Sequence, residues 1–146
     1  MATQRRKFKA EAIRSIKIAI HPADMTDGGG TSGTYLANNV KLPAGCVVLG
    51  TKLNAPVAWS GDVSAVAIVG TAADDDMFYE TPESVFAAVS NKYGTPATYP
   101  TDLFQAAEVA IQITVTTGTD FTILFNADTA RLEVEVYYID LNAKSK

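Results

Sequence analysis

The stretch that decides the fold is "EVAIQITVTTGTDFTILFNADTARLEVEVYYID", residues 108–140. In its first and last thirds, apolar side chains alternate with small or polar ones, which is the period of a half-buried strand. The apolar positions are Val109, Ile111, Ile113, Val115, Leu132, Val134, Val136 and Tyr138. The middle segment, "TDFTILFNAD", follows a short turn, so we predict an antiparallel meander of three strands. We expect Ile111, Ile113, Val134 and Val136 to be buried in it.

Strand patterns continue towards the N-terminus. "IRSIKIAI", residues 13–20, alternates in the same way, and "VSAVAIVG", residues 63–70, is apolar nearly throughout, as in a strand covered on both faces. "GTYLANNVKLPAGCVVLGTKL", residues 33–53, predicts two strands joined by a type I turn, with Pro43 and Gly45 at its second and fourth positions.

One segment favours a helix. Thr81 is a good N-cap and Pro82 suits the first helical position. Val85, Phe86 and Val89 then follow at helical spacing. The sequence therefore predicts a mainly β protein, an antiparallel β-sandwich or barrel-like fold of about seven or eight strands, with one short helix near 81–90.

Length and composition set the domain organisation. The chain has 146 residues, of which 47% are hydrophobic and 19% are charged, which suits one domain with its own core. We expect a flexible basic N-terminal arm over residues 1–10, a single β domain over 11–142 and a C-terminal tail over 143–146. No apolar run approaches the ~20 residues that span a bilayer, so no membrane partner is expected.

Charge is unevenly distributed along the chain. The net charge is −4, yet six of the twelve basic residues lie in the first 17 positions. An acidic body argues against a broad nucleic-acid-binding face. Four of the basic residues belong to the arm and are candidate partner-binding residues: Arg5, Arg6, Lys7 and Lys9. Three interpretations of the arm stay open, namely a solvated tail, a contact with an acidic protein surface, and a weak contact with nucleic acid.

Residues with metal-binding or catalytic chemistry are few. Asp74, Asp75 and Asp76 are adjacent, but they lack the alternation and distal glutamate of a calcium loop, which favours a solvated turn. His21 is the only histidine and has no nucleophile at a motif spacing. Cys46, the only cysteine, lies in an apolar run and is expected to be buried. We therefore expect no cofactor, no metal and no enzymatic activity.

Aromatic residues near loops suggest contacts. Tyr79, Tyr93 and Tyr99 are candidate partner-binding residues, because amphipathic rings are enriched at protein interfaces. One hypothesis is therefore a structural interaction protein. A second hypothesis is a carbohydrate- or ligand-binding β module, in which Trp59 and the loop tyrosines would form a stacking platform. A stable oligomer would favour a structural interaction protein, and a glycan-binding monomer would favour the ligand-binding module.

The layout of several segments resembles a known class of proteins. These are "IAI" (18–20), "VKLPAGCVVLG" (40–50), "TAADDD" (71–76) and "VTTGTDFTILFNADTARLEVEVYYI" (115–139). Together they resemble tailed-bacteriophage capsid decoration proteins, which stabilise the head from outside. The resemblance implies a structural virion protein on the outer capsid surface. Its expected partners are the major capsid protein, whose neighbouring subunits it would bridge, and further copies of itself in a homotrimer. Another phage head or tail component is the alternative within this class.

Overall fold

Two antiparallel β-sheets make up the described part of the chain. The computed structural model describes residues 13–86, 89–94, 103–126 and 129–142. Ten strands lie within these ranges: β1 Ile13–Ile20, β2 Thr26–Asp27, β3 Ser32–Leu42, β4 Cys46–Val57, β5 Ala65–Gly70, β6 Tyr79–Ser84, β7 Val89–Gly94, β8 Phe104–Gln105, β9 Val109–Thr117 and β10 Arg131–Asp140. Two short 3-10 helices, Pro22–Asp24 and Phe121–Asn126, complete the set. The mainly β, sandwich- or barrel-like fold is therefore confirmed. The described ranges hold ten strands rather than seven or eight, because β2 and β8 have only two residues each and are too short to give an alternating pattern.

The sheets have different strand orders. The first sheet runs β1-β10-β4-β7, with β8 also paired to β4, and the second runs β2-β3-β9-β5-β6. Apolar side chains from both sheets form one core. The predicted burial of Ile111, Ile113, Val134 and Val136 is confirmed, since none is more than 1% exposed.

The predicted terminal meander is wrong. β9 and β10 lie in different sheets, and "TDFTILFNAD" supplies the second 3-10 helix rather than a strand between them. Phe121 and Leu124 are both fully buried. Their spacing of three residues places both side chains on one side of a 3-10 helix. This segment therefore fills the core while it carries the chain from one sheet to the other.

The predicted helix near 81–90 is also wrong. Residues 79–84 form β6, an edge strand paired with β5, and β7 begins at Val89. Pro82 fits there because an edge strand tolerates a residue without an N–H donor. Val85 is buried, and its backbone N–H donates to the carbonyl oxygen of Ala65. Pairing with β5 has therefore overridden the local helix signals.

The remaining segment predictions lie partly outside the described residues. The arm over residues 1–10 and the tail over 143–146 lie outside the described residues, and so do the candidate residues Arg5, Arg6, Lys7, Lys9 and Tyr99. Neither 3-10 helix within the described ranges is long enough to cross a membrane.

Candidate functional site

The face of the first sheet that points away from the core carries both charged and apolar side chains. We call it the outer face. The strand register places Lys17 of β1, Glu135 of β10 and Lys52 of β4 in one row across it. The two ammonium groups lie 3.3 and 3.8 Å from the Glu135 carboxylate. Glu135 is only 7% exposed, so this pairing neutralises a nearly buried charge.

The electrostatics of Glu135 follow from these contacts. Burial alone would raise its pKa, but the Tyr137 hydroxyl and the ammonium groups of Lys17 and Lys52 outweigh burial and lower the pKa below its usual value. The same hydrogen bond to Glu135 raises the pKa of Tyr137 to about 12. The carboxylate therefore stays ionised at neutral pH and orders the centre of the outer face.

A shallow cavity of about 200 Å³ lies beside this row. Its lining includes a second ion pair, in which Arg131 Nε lies 3.3 Å from Glu133 Oε1. Opposite charges around the cavity are thus already matched to each other. The cavity therefore offers no single-sign field for a charged ligand, and its described lining contains no Ser, Thr, Cys or His side chain.

The other end of the outer face is apolar. Ile13, Ile139, Val47 and Phe104 follow one another in register across β1, β10, β4 and β8, and we call them the apolar row. Ile13 is 55% exposed and Phe104 is 44% exposed. Next to the row is an open depression of about 360 Å³. Its lining includes Ile13, Leu49, Tyr93 and Tyr137, and we refer to it as the depression.

The structure separates the predicted tyrosines. Tyr93 is 71% exposed and lies on the outer face, where it fits a contact role. Tyr79, by contrast, is 2% exposed and begins β6 rather than lying in a loop. Its hydroxyl donates to Glu83 at 3.2 Å, and a Cβ at Gly94 would overlap its ring. Tyr79 is therefore a core residue in the described structure, and its partner-binding role stays a prediction.

Trp59 cannot form the stacking platform of the ligand-binding hypothesis. Its side chain is fully buried, and its backbone N–H donates to the carbonyl oxygen of Val85 at 2.9 Å. A ring that stacks on a sugar needs an exposed face. The residue that favoured glycan binding is therefore part of the core.

Asp74, Asp75 and Asp76 form a compact acidic turn between β5 and β6. Their carboxylate oxygens lie within 4.8 Å of one another. A hydrogen bond with Asp74, together with burial and the charges of Asp74, Asp75 and Glu80, raises the pKa of Asp76. The turn itself is fixed by the Thr71 hydroxyl, which accepts from the Asp74 N–H at 3.1 Å. The turn therefore concentrates negative charge in one place on the described chain.

His21 makes hydrogen bonds within the fold, and Cys46 lies in the core. His21 Nδ1 lies 2.7 Å from the carbonyl oxygen of Ala130, and its backbone N–H donates to Asp24. Cys46 is fully buried, as expected, and burial followed by the charge of Asp140 raises the pKa of its thiol. A raised pKa makes the thiol a poor nucleophile at neutral pH.

The sequence interpretation missed the apolar row. The signal was present in "CVVLG", where Cys46 and Val48 are buried while Val47 lies between them. Alternation requires Val47 to face outwards, so an apolar residue there indicates a second apolar face. Phe104 gave no such signal, because its strand is only two residues long.

Comparisons with known proteins bear on the fold. No protein-family model matches the sequence, and no curated protein matches it. A chain in the capsid asymmetric unit of cyanophage Pam1 superposes over 87% of this chain and 82% of its own, with a TM-score of 0.52 and 17% sequence identity. A chain in the acid-stable capsid structure of Helicobacter pylori bacteriophage KHP30 covers 85% of this chain and 93% of its own at 17% identity, but its TM-score of 0.45 is too low to carry an argument. The two-sheet arrangement is thus shared with a chain from a phage capsid.

Proposed function

We propose that this protein is a structural component of a phage particle, and specifically a decoration protein that stabilises the outer capsid surface. The observation that carries the proposal is the likeness in fold to a chain of the Pam1 capsid over most of both chains. The segment layout over residues 16–139 supports it independently, since it resembles the same class of protein.

The outer face supports a binding role. A sheet gives a stiff surface, and here it exposes Ile13, Leu49, Tyr93 and Phe104. Exposed apolar groups bordered by charged residues are typical of protein contact sites. We propose that Tyr93 contacts neighbouring major capsid subunits and that the protein bridges them.

The oligomeric state belongs to the same proposal. A homotrimer is the state implied by the resemblance, and light scattering at micromolar concentration measures it directly. A mass of three 15.5 kDa chains supports the trimer. A mass of one chain at every concentration would contradict a trimer in solution.

The basic arm is the second proposed attachment element. Arg5, Arg6, Lys7 and Lys9 would pair with acidic groups on the capsid. Exposed ion pairs contribute only ~0.2–1 kcal/mol each, so four of them change affinity by one or two decades at low salt. Screening reduces this contribution as the salt concentration rises.

The experiment is co-sedimentation with capsids from a phage whose gene for this protein has been deleted. Full-length protein should pellet with the capsids, and removal of residues 1–9 should weaken binding at low salt more than at high salt. Tyr93→Ser should also weaken binding. Leu36→Ser is the matched control, because Leu36 is exposed on the second sheet and should leave binding unchanged. If full-length protein stays in the supernatant at every concentration, the proposal is wrong.

A further inference from the structure

The depression and the apolar row together form an exposed apolar surface, and surfaces of this kind commonly mark interaction sites. Ile13, the first described residue, belongs to both features. The twelve residues that precede it therefore start at the edge of this surface. A tethered segment reaches a site beside its own attachment point at a high effective concentration, which favours it over a separate molecule.

The sequence of that segment matches the surface. Residues 1–12 are "MATQRRKFKAEA", in which Phe8 is the one aromatic residue and stands among basic residues. Phe8 is five residues from Ile13, so it reaches up to ~17 Å. Crossing from β1 over β10 and β4 to β7 spans three strand spacings, or about 14 Å. Phe8 can therefore reach any part of the depression, including Tyr93.

Beyond the depression, the basic residues of the segment are complementary in charge to the acidic turn. The acidic turn lies at the rim of this sheet, where β7 ends and β8 begins. Two contacts place it there: the Gln105 side chain of β8 donates to Met77 at 3.7 Å, and the Tyr79 ring packs against Gly94 of β7. Met77 directly follows the three aspartates. Arg5, Arg6 and Lys7 are six to eight residues from Ile13 and reach up to ~20–28 Å, far enough to arrive at this rim.

We propose that in the free protein the N-terminal segment of the same chain, residues 1–12, folds back across the outer face. Phe8 occupies the depression between Leu49, Tyr93 and Tyr137, and Arg5, Arg6 and Lys7 pair with the acidic turn. The inference concerns the free protein and does not depend on the proposed capsid role. In a decoration protein, the segment would have to leave this face before Tyr93 contacts the capsid.

Paramagnetic relaxation tests the proposal on the full chain. A nitroxide label is attached at Thr3→Cys, while buried Cys46 stays in place and unlabelled. The backbone amide signals of Tyr93, Gly94 and Phe104 should lose most of their intensity. Amides of Leu36 and Val63, exposed elsewhere, should keep theirs. Signal loss confined to residues close to Ile13 would show a free segment and overturn the proposal.

Two further samples test whether the segment on the depression belongs to the same chain or to a second copy, and whether Phe8 holds it there. In a mixture of spin-labelled and isotope-labelled chains, signal loss at Tyr93 would identify a second copy as the occupant and overturn the same-chain assignment. Phe8→Ser should restore the signals of Tyr93 and Gly94, whereas the control Ala10→Ser should not. Signals that stay weak in Phe8→Ser would show that Phe8 does not hold the segment in place.

Discussion

Val134→Asp is the sharpest test of how the core is assembled. Val134 is 1% exposed and lies in the middle of β10, between Ile18 of β1 and Leu53 of β4. Its side chain therefore points into the core from the centre of the first sheet. A carboxylate at this position would have apolar neighbours on both adjacent strands.

The magnitude follows from two terms. Loss of a buried valine side chain removes about 1.5–3 kcal/mol of hydrophobic stabilisation. Placing an unpaired charge in the core adds a penalty of several kcal/mol, even after relaxation and water entry. The sum is comparable with the ~5–15 kcal/mol net stability of an ordinary domain. We therefore expect Val134→Asp to be unfolded at room temperature.

The assay is thermal unfolding followed by circular dichroism, with two controls. Val134→Ala should fold and lose about 1–3 kcal/mol, because it leaves a small cavity without a charge. Val40→Asp introduces the same carboxylate at a 47% exposed position in β3 and should melt within a few degrees of wild type. A soluble Val134→Asp protein with a wild-type melting temperature would refute the assignment of the inward face of β10.

Three further outcomes are expected. Glu135→Gln should cost about 1 kcal/mol at pH 7, because it weakens the contacts to Lys17 and Lys52. The pKa of Glu135 is lower in the folded state than in the unfolded state. Its contribution to stability is therefore fully present above the unfolded pKa of about 4.3 and is lost as the pH falls through the folded pKa. Wild type and Glu135→Gln should consequently have the same melting temperature near pH 2. A difference that persists at pH 2 would assign the effect to packing. Gly45→Ala should destabilise by about 1–2 kcal/mol in chemical denaturation, because Gly45 has a φ of 81° and a Cβ there would meet the Asn142 side chain; unchanged stability would mean that the turn rearranges freely. EDTA should leave the melting temperature unchanged, whereas a drop of many degrees would make Asp74, Asp75 and Asp76 metal ligands.

Alternation predicted most of the long strands. β1, β9 and β10 each contain apolar residues at every second position, and a one-residue shift would expose all of them. Local patterns could not assign strands to sheets. β9 and β10 follow each other in sequence, yet β9 pairs with β3 and β5 in the second sheet, and β10 pairs with β1 and β4 in the first. That choice depends on contacts between distant segments.

The errors at β6 and at the second 3-10 helix have one physical cause. Capping residues and apolar spacing describe what a segment prefers alone, and these preferences are weak compared with burial in a shared core. The candidate surface was predicted only in part for the same reason. Tyr93 lies on it as an exposed residue, but the apolar row exists only after β1, β10, β4 and β8 have come together.

The pairing of β1 with β10 has a consequence for biosynthesis. Ile13 lies opposite Ile139, so β1, the first strand of the described residues, has its only described neighbour in the first sheet close to the end of those residues. Proteins dominated by such distant pairings fold slowly, commonly in milliseconds to seconds. β4 likewise depends on β10 for its main partner. The first sheet is therefore complete only after translation has passed residue 140, and until then the apolar side of β1 lacks its partner strand and remains open to chaperones and to aggregation.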